Sequence, residues 1–153
     1  MGVEIERKFL VEGDSWRQNA VGKKYCQGYM YTPKGVVRVR IAGDEAFLTI
    51  KGARNNLSRS EFEYNIPMED AKSLLEELCE QPFIDKTRYV LEENGVEWVV
   101  DEFHGENTGL ILAEVELESA DDTVFLPKWA GQDVSDDSRF YNSNLVKFPY
   151  SKW

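Results

Sequence analysis

Histidine, cysteine and proline are scarce in this chain of 153 residues: there is one His, two Cys and five Pro. The single His104 rules out multi-histidine metal sites, and beside Gly105 it reads as a polar residue closing a strand. Cys26 and Cys79 have neither metal-ligand spacing nor the density of a disulfide framework, so a reduced, cytoplasmic protein is expected. No apolar run approaches the roughly 20 residues that span a bilayer as a helix. The opening Met1-Gly2-Val3-Glu4-Ile5-Glu6 lacks a basic and an apolar stretch, so it predicts no signal peptide. It also puts Glu6 where N-myristoylation wants Ser or Thr. There is no glycine-rich phosphate loop of the Walker type and no Ser/His/Asp triad context. Repeats, low-complexity tracts and Gly/Ser/Pro linkers are missing. Positive charge is also short: 18 Lys plus Arg face 28 Asp plus Glu, a net charge of −10. That disfavours nucleic acid and anionic membranes as partners, because polyanions are repelled at long range.

What is present is enough apolar material for one folded domain over 1–153, with 42% hydrophobic and 12% aromatic residues. Eight short alternating segments predict strands at 3–11, 24–31, 36–42, 45–51, 59–66, 85–92, 96–103 and 110–118. Thr32-Pro33-Lys34-Gly35, Gly43-Asp44 and Asn94-Gly95 have the chemistry of tight turns, which makes their flanking strands antiparallel neighbours. Residues 67–80 predict a helix: Pro67 opens it, Glu69 and Asp70 occupy its first turn, and Ala71, Leu74, Leu75 and Leu78 form an apolar face. A short helix is expected within 14–21. The tail 127–153 has no clear period, with part of 136–146 helical.

Strand side chains alternate between two faces. Glu4, Glu6 and Lys8 share one face of the first strand, against Val3, Ile5, Phe9 and Val11. Arg38 and Arg40 oppose Val37, Val39 and Ile41. Thr49 and Lys51 oppose Leu48 and Ile50. Arg59, Glu61 and Glu63 oppose Phe62, Tyr64 and Ile66. Lys86 and Arg88 oppose Tyr89 and Leu91. Asp101 opposes Trp98 and Val100, and Glu114 and Glu116 oppose Val115 and Leu117. The polar faces are almost purely ionic. Three architectures accommodate this: a sandwich with solvated outer faces, an outer-membrane barrel, or a soluble closed antiparallel barrel whose lumen gathers the ions. In the third, buried ions would be retained for function, since burying them is costly unless they are paired or bind a ligand.

If the charged faces converge, the seven basic groups suit phosphate oxygens, Arg by its planar fork and Lys by its compact charge. The seven acidic groups would hold a hard cation, Mg²⁺ or Mn²⁺, that bridges to the phosphates. Glu4-x-Glu6 and Glu114-x-Glu116 each put two carboxylates on one strand face.

Glu4-Ile5-Glu6-Arg7-Lys8-Phe9-Leu10-Val11 resembles the signature of the triphosphate tunnel metalloenzymes, the CYTH family. The later segments match in order: Gln27-Gly28-Tyr29, Val37-Arg38-Val39-Arg40, Thr49-Ile50-Lys51-Gly52, Arg59-Ser60-Glu61-Phe62-Glu63-Tyr64, Lys86-Thr87-Arg88-Tyr89, Val100-Asp101 and Ala113-Glu114-Val115-Glu116-Leu117. Tyr141-Asn142-Ser143-Asn144-Leu145 looks like the C-terminal segment of short bacterial members. The resemblance implies a mainly β (α+β) fold, an eight-stranded antiparallel closed barrel or tunnel with a charged interior and a few covering helices. It also implies that segment 127–153 packs on or near a tunnel mouth, with Arg139, Tyr141 and Asn142 as polar groups there, and that a homodimer is formed. By the same resemblance, Glu4, Glu6, Glu114 and Glu116 are metal ligands with Asp101 and Glu63 as further ones. Lys8, Arg38, Arg40, Lys51, Arg59, Lys86 and Arg88 bind the substrate, and Tyr29 positions a catalytic lysine or water, with Lys8, Glu4 and Glu6 in the catalytic set. The implied activity is metal-dependent hydrolysis of inorganic triphosphate. The alternatives are a class IV adenylyl cyclase, a thiamine triphosphatase, or a non-catalytic polyphosphate-binding module. The inward basic and acidic sets cancel, so the excess negative charge lies outside the site and does not oppose a small polyphosphate within it.

Overall fold

Two-residue turns set the register of three hairpins. The computed structural model, which describes residues 2–153, pairs Thr32 with Gly35, Ala42 with Glu45 and Glu93 with Val96. Asn94 and Gly95 both take the left-handed backbone, at φ 53° and 75°, as the twist of a tight hairpin requires. Met1, where the expectation about the amino terminus begins, lies outside the described residues.

The strands are β1 (Gly2–Val11), β2 (Gly22–Thr32), β3 (Gly35–Ala42), β4 (Glu45–Gly52), β5 (Ser58–Asn65), β6 (Ile84–Glu93), β7 (Val96–Phe103) and β8 (Ile111–Glu116). They follow the order β5-β4-β3-β2-β6-β7-β8-β1, every pair antiparallel, and β1 returns to β5 by pairing Gly2–Ile5 with Ser58–Glu61. The eight strands therefore form a ring. A ninth strand, β9 (Ala130–Asp133), was not legible in the aperiodic tail; it lies on β1 beyond β5, with Phe9 opposite Asp133. The Arg7–Asp133 ion pair fastens it, which accounts for Arg7 interrupting the apolar face of β1.

Apolar groups cover the ring from outside in two places. Phe9, Trp98, Val100, Ala113 and Val115 pack with Trp16 and Trp129. Trp16 sits on a single helical turn, Ser15–Arg17, where 14–21 predicted a short helix. Val39 and Ala46 lie under helix α1 (Met68–Leu78), whose Ala71 and Leu75 are buried. Leu78 departs from its expected place on that face and is exposed, because Cys79 turns inward in its stead. Gly28 permits this: a Cβ there would meet Leu75 Cδ2 at 2.7 Å and Cys79 Cβ at 2.8 Å. Tyr64, expected on a covered outer face, is exposed.

The third cluster lies inside the ring, so the charge expected there fills only part of the interior. Ile84, Phe103, Leu112 and Leu10 share the faces of Lys86, Asp101, Glu114 and Lys8, and they pack with Tyr29 against Val134, Phe140, Leu145 and Val146 of the tail. The tail supplies Phe140 through the turn Ser138–Phe140, Leu145 and Val146 through helix α2 (Asn142–Lys147), and Val134 directly after β9. One part of the interior is thus an ordinary apolar core, and the remainder is charged. No helix is long and apolar enough to cross a membrane among the described residues.

Gly28→Val is expected to destabilise the fold by about 1–3 kcal/mol through overpacking against α1. Denaturant unfolding reads this directly; an unchanged midpoint would contradict the close approach.

Candidate active site

Residues directly opposite one another in neighbouring strands point to the same side. Lys8 faces Glu114, Glu6 faces Glu116, Glu4 faces Arg59, and Lys51 faces Glu61. The run Glu63–Thr49–Arg38–Tyr29 crosses β5, β4, β3 and β2. The result is a cavity of about 430 Å³ in the charged part of the ring. Of the residues that sequence reasoning assigns to a site, Glu4, Glu6, Lys8, Tyr29, Arg38, Arg40, Lys51, Arg59, Glu63, Lys86, Arg88, Glu114 and Glu116 all line it. Arg54, Glu61 and Glu97 join them, so eight basic and seven acidic side chains form the wall.

Asp101 is the exception. It lies behind the wall, 1% exposed, with Oδ2 accepting from Lys86 Nζ and Arg88 Nη2, each at 2.8 Å, and Oδ1 accepting from Arg88 Nε at 2.8 Å. Both oxygens are taken by cations, so the carboxylate is not placed to ligate a metal in the cavity. Burial works to raise the Asp101 carboxyl, but Arg88 and Lys86 override it and hold it at about 2. Burial, with Arg88 and Arg40 nearby, in turn pulls the Lys86 ammonium below its ordinary value against the attraction of Asp101.

The wall carboxylates meet in two pairs. Burial first, then Glu114 and Glu4, push the Glu6 carboxyl well above its ordinary value. Glu114 is also buried, yet Lys8 at 3.8 Å and Arg88 at 3.9 Å hold it well below. Glu61 is raised by burial and by its hydrogen bond with Glu4. Glu4 is lowered: burial opposes this, while Lys51 at 3.3 Å and the bond from Glu61 bring it down. Within each pair one carboxyl is held up and the other down, because adjacent carboxylates repel and the nearby cations favour one of the two. A divalent ion would offset that repulsion, and the donors are all hard carboxylate oxygens with no Cys or His on the wall. Among the described residues no group of three His, Cys, Asp or Glu closes on one point. An ion such as Mg²⁺ does not need one, since it is commonly held by one or two carboxylates plus water and substrate phosphates. Glu116 and Glu63 are more exposed; Glu63 Oε2 accepts from Arg38 and Thr49.

Two partners escaped the search for ionic faces because they are neutral. Gln27, fully buried on the inner face of β2, accepts from Arg40 Nε at 2.8 Å and donates to Tyr29 Oη at 2.8 Å and Asn142 Oδ1 at 3.2 Å. Thr49 Oγ1 accepts from Arg38 at 3.2 Å. Asn142 Oδ1 also accepts from Lys86 Nζ at 2.8 Å, and Lys8 Nζ donates to the Phe140 carbonyl at 3.2 Å, so the tail reaches the lysines of the wall. Arg139 does not; it pairs with Asp137 on the surface. Arg59 and Glu61, on one face of β5, bond different partners: Arg59 the Gly52 carbonyl at 2.8 and 3.0 Å, Glu61 Lys51 at 3.3 Å. Burial lowers the Arg40 guanidinium first, and Arg38 and Arg88 lower it further, to about 9. His104 bonds Thr87 at 2.8 Å away from the cavity.

The family model for the CYTH domain matches residues 2–143. An inorganic triphosphatase of Acetivibrio thermocellus is 47% identical over 154 aligned residues, covering 100% of this chain and 99% of that protein. An inorganic triphosphatase of Nitrosomonas europaea is 35% identical, covering 94% of this chain and 96% of its own. A crystal structure of an inorganic triphosphatase superposes with a TM-score of 0.68 at 33% identity, covering 95% of each chain.

Asp101→Asn leaves Lys86 and Arg88 without their counter-charge and is expected to cost about 3–5 kcal/mol in urea unfolding near neutral pH. Because the folded value of about 2 lies below the ordinary 3.8, the carboxylate's contribution is present above 3.8 and is lost as pH falls through about 2. Wild type should therefore lose stability across that window, and the variant should lose less.

Proposed function

This chain belongs to the CYTH domain family, and on that footing we propose that its lumen hydrolyses inorganic triphosphate to pyrophosphate and phosphate. The observation that carries this reading is the pairing pattern in one cavity. Glu6 lies against Glu114 and Glu61 against Glu4, while Arg40 and Arg59 are held by neutral oxygens rather than by carboxylates. A polyphosphate with a divalent cation neutralises both.

In this reading Glu4, Glu6 and Glu114 hold Mg²⁺ or Mn²⁺, with Glu61, Glu63 and Glu116 beside them. When bound, such an ion supplies charge neutralisation on the phosphate oxygens and lowers the pKa of water. Lys8, Arg38, Arg40, Lys51, Arg59, Lys86 and Arg88 clamp the phosphates and stabilise charge on the group in transfer. Asp101 positions Lys86 and Arg88. Gln27 and Asn142 connect Tyr29 and Lys86 into one hydrogen-bonded unit, and the tail closes the lumen behind them.

An organic triphosphate is disfavoured on a specific observation. The aromatic rings that line the cavity are Tyr29 and Tyr141, and both are engaged: Tyr29 accepts from Gln27 and stacks on Tyr31, and Tyr141 lies under Arg54. A base or thiazole ring has no free platform there. Two free thiols fit a reducing, cytoplasmic setting, and a homodimer completes the proposal.

Purified protein given triphosphate, ATP or thiamine triphosphate, each with Mg²⁺ or Mn²⁺, is expected to release phosphate fastest from triphosphate and none without metal. Glu4→Gln and Glu114→Gln should each lower turnover by roughly 100-fold or more. Lys8→Ala and Arg40→Ala should lower kcat/KM by roughly 10- to 100-fold. Metal-independent release, or cyclic AMP formed from ATP, would contradict the proposal.

A further inference from the structure

The basic residues of the cavity sort by partner. Lys8, Arg38, Lys51, Lys86 and Arg88 each face a carboxylate within 4 Å. Arg40 and Arg59 bond neutral oxygens. Arg54, on the loop 53–57 between β4 and β5, has neither kind of partner among the described residues. Its Nε is buried without an acceptor, although the side chain lines the cavity. Its guanidinium lies over the Tyr141 ring, 4.5 Å from the centroid, so a residue of the tail holds it in place.

A buried donor gains by finding an acceptor, so an anionic oxygen beside Arg54 would be favoured. A stacked guanidinium keeps its edge free, and that edge matches two phosphate oxygens. Arg59, hooked onto the Gly52 carbonyl, lines the same cavity close enough to Arg54 for the two guanidiniums to repel, and among the described residues neither makes a salt bridge.

We propose that Arg54 binds the outer phosphate of the half of the substrate that leaves as pyrophosphate, at the end of the lumen walled by loop 53–57, with Tyr141 as the residue that orients its guanidinium. This rests on the triphosphatase reading and adds to it a substrate contact drawn from a loop. The interaction holds a phosphate remote from bond cleavage, so it acts on substrate and transition state alike and governs KM more than kcat. A purely structural Arg54, stapling the loop to the tail, would affect thermal unfolding and leave KM untouched.

The test compares Arg54→Ala and Arg54→Lys with wild type by steady-state hydrolysis of triphosphate and by calorimetric binding of triphosphate in metal-free buffer. Arg54→Ala should raise KM and the dissociation constant roughly 10- to 100-fold with kcat within about threefold, and Arg54→Lys should recover part of the loss. Unchanged KM and binding, or a loss confined to kcat, would overturn the assignment. If wild type binds triphosphate without hydrolysing it, the functional reading fails, while the calorimetry still decides the role of Arg54.

Discussion

Charge buried inside a ring of strands is tolerable only while it is compensated, and the Lys86–Asp101–Arg88 cluster is where this chain meets that condition most completely. Asp101 is sealed behind the wall, and both of its oxygens are occupied. It fixes two cations that would otherwise repel each other and Arg40 nearby. Elsewhere the compensation is left deliberately incomplete. Glu6 is set against Glu114 and Glu61 against Glu4, and among the described residues Arg40, Arg54 and Arg59 make no salt bridge. The lumen is therefore rigid at one wall and electrostatically unsatisfied at the others, which suits a ligand that brings both anionic oxygens and a divalent cation.

The apolar part of the interior serves the charged part. Ile84, Phe103, Leu112 and Leu10 continue the inner faces of β6, β7, β8 and β1, and tail residues Val134, Phe140, Leu145 and Val146 pack against them. Exclusion of water there lowers the local dielectric and strengthens every interaction of the adjoining ions. The same tail segment sends Asn142 to Lys86 and Gln27, the Phe140 carbonyl to Lys8, and Tyr141 to Arg54. Packing and polar contacts of one segment thus close the lumen and orient its bases.

Which side chains share a face was legible because period-two alternation assigns each to a side, and tight turns assign neighbours. Alternation alone also suited a sandwich, so closure into a ring and the roles of Glu4, Glu6, Lys8, Arg38 and Arg40 rested on the family resemblance. Asp101 shows the limit of that logic: alternation puts it on the inner face but cannot tell a wall residue from one sealed behind its partners. Gln27 and Thr49 stood in matching segments, but their neutral side chains gave no sign of the bonds they make with Arg40 and Arg38. Arg54 sits on a loop, where no periodicity operates. The tail was illegible because β9 is short and its residues pack by tertiary contact with β1, as Arg7–Asp133 illustrates, rather than by any repeating pattern.

The central claim is that the carboxylate pairs and the uncompensated arginines bind one metal–triphosphate complex. Crystals grown with Mn²⁺ and a non-hydrolysable triphosphate, measured for anomalous scattering, test it most directly. The account predicts a manganese peak against the carboxylates of Glu4, Glu6 or Glu114, with phosphates lying on Arg40, Arg54 and Arg59. Manganese bound away from these carboxylates, or a triphosphate lodged outside the ring, would contradict it.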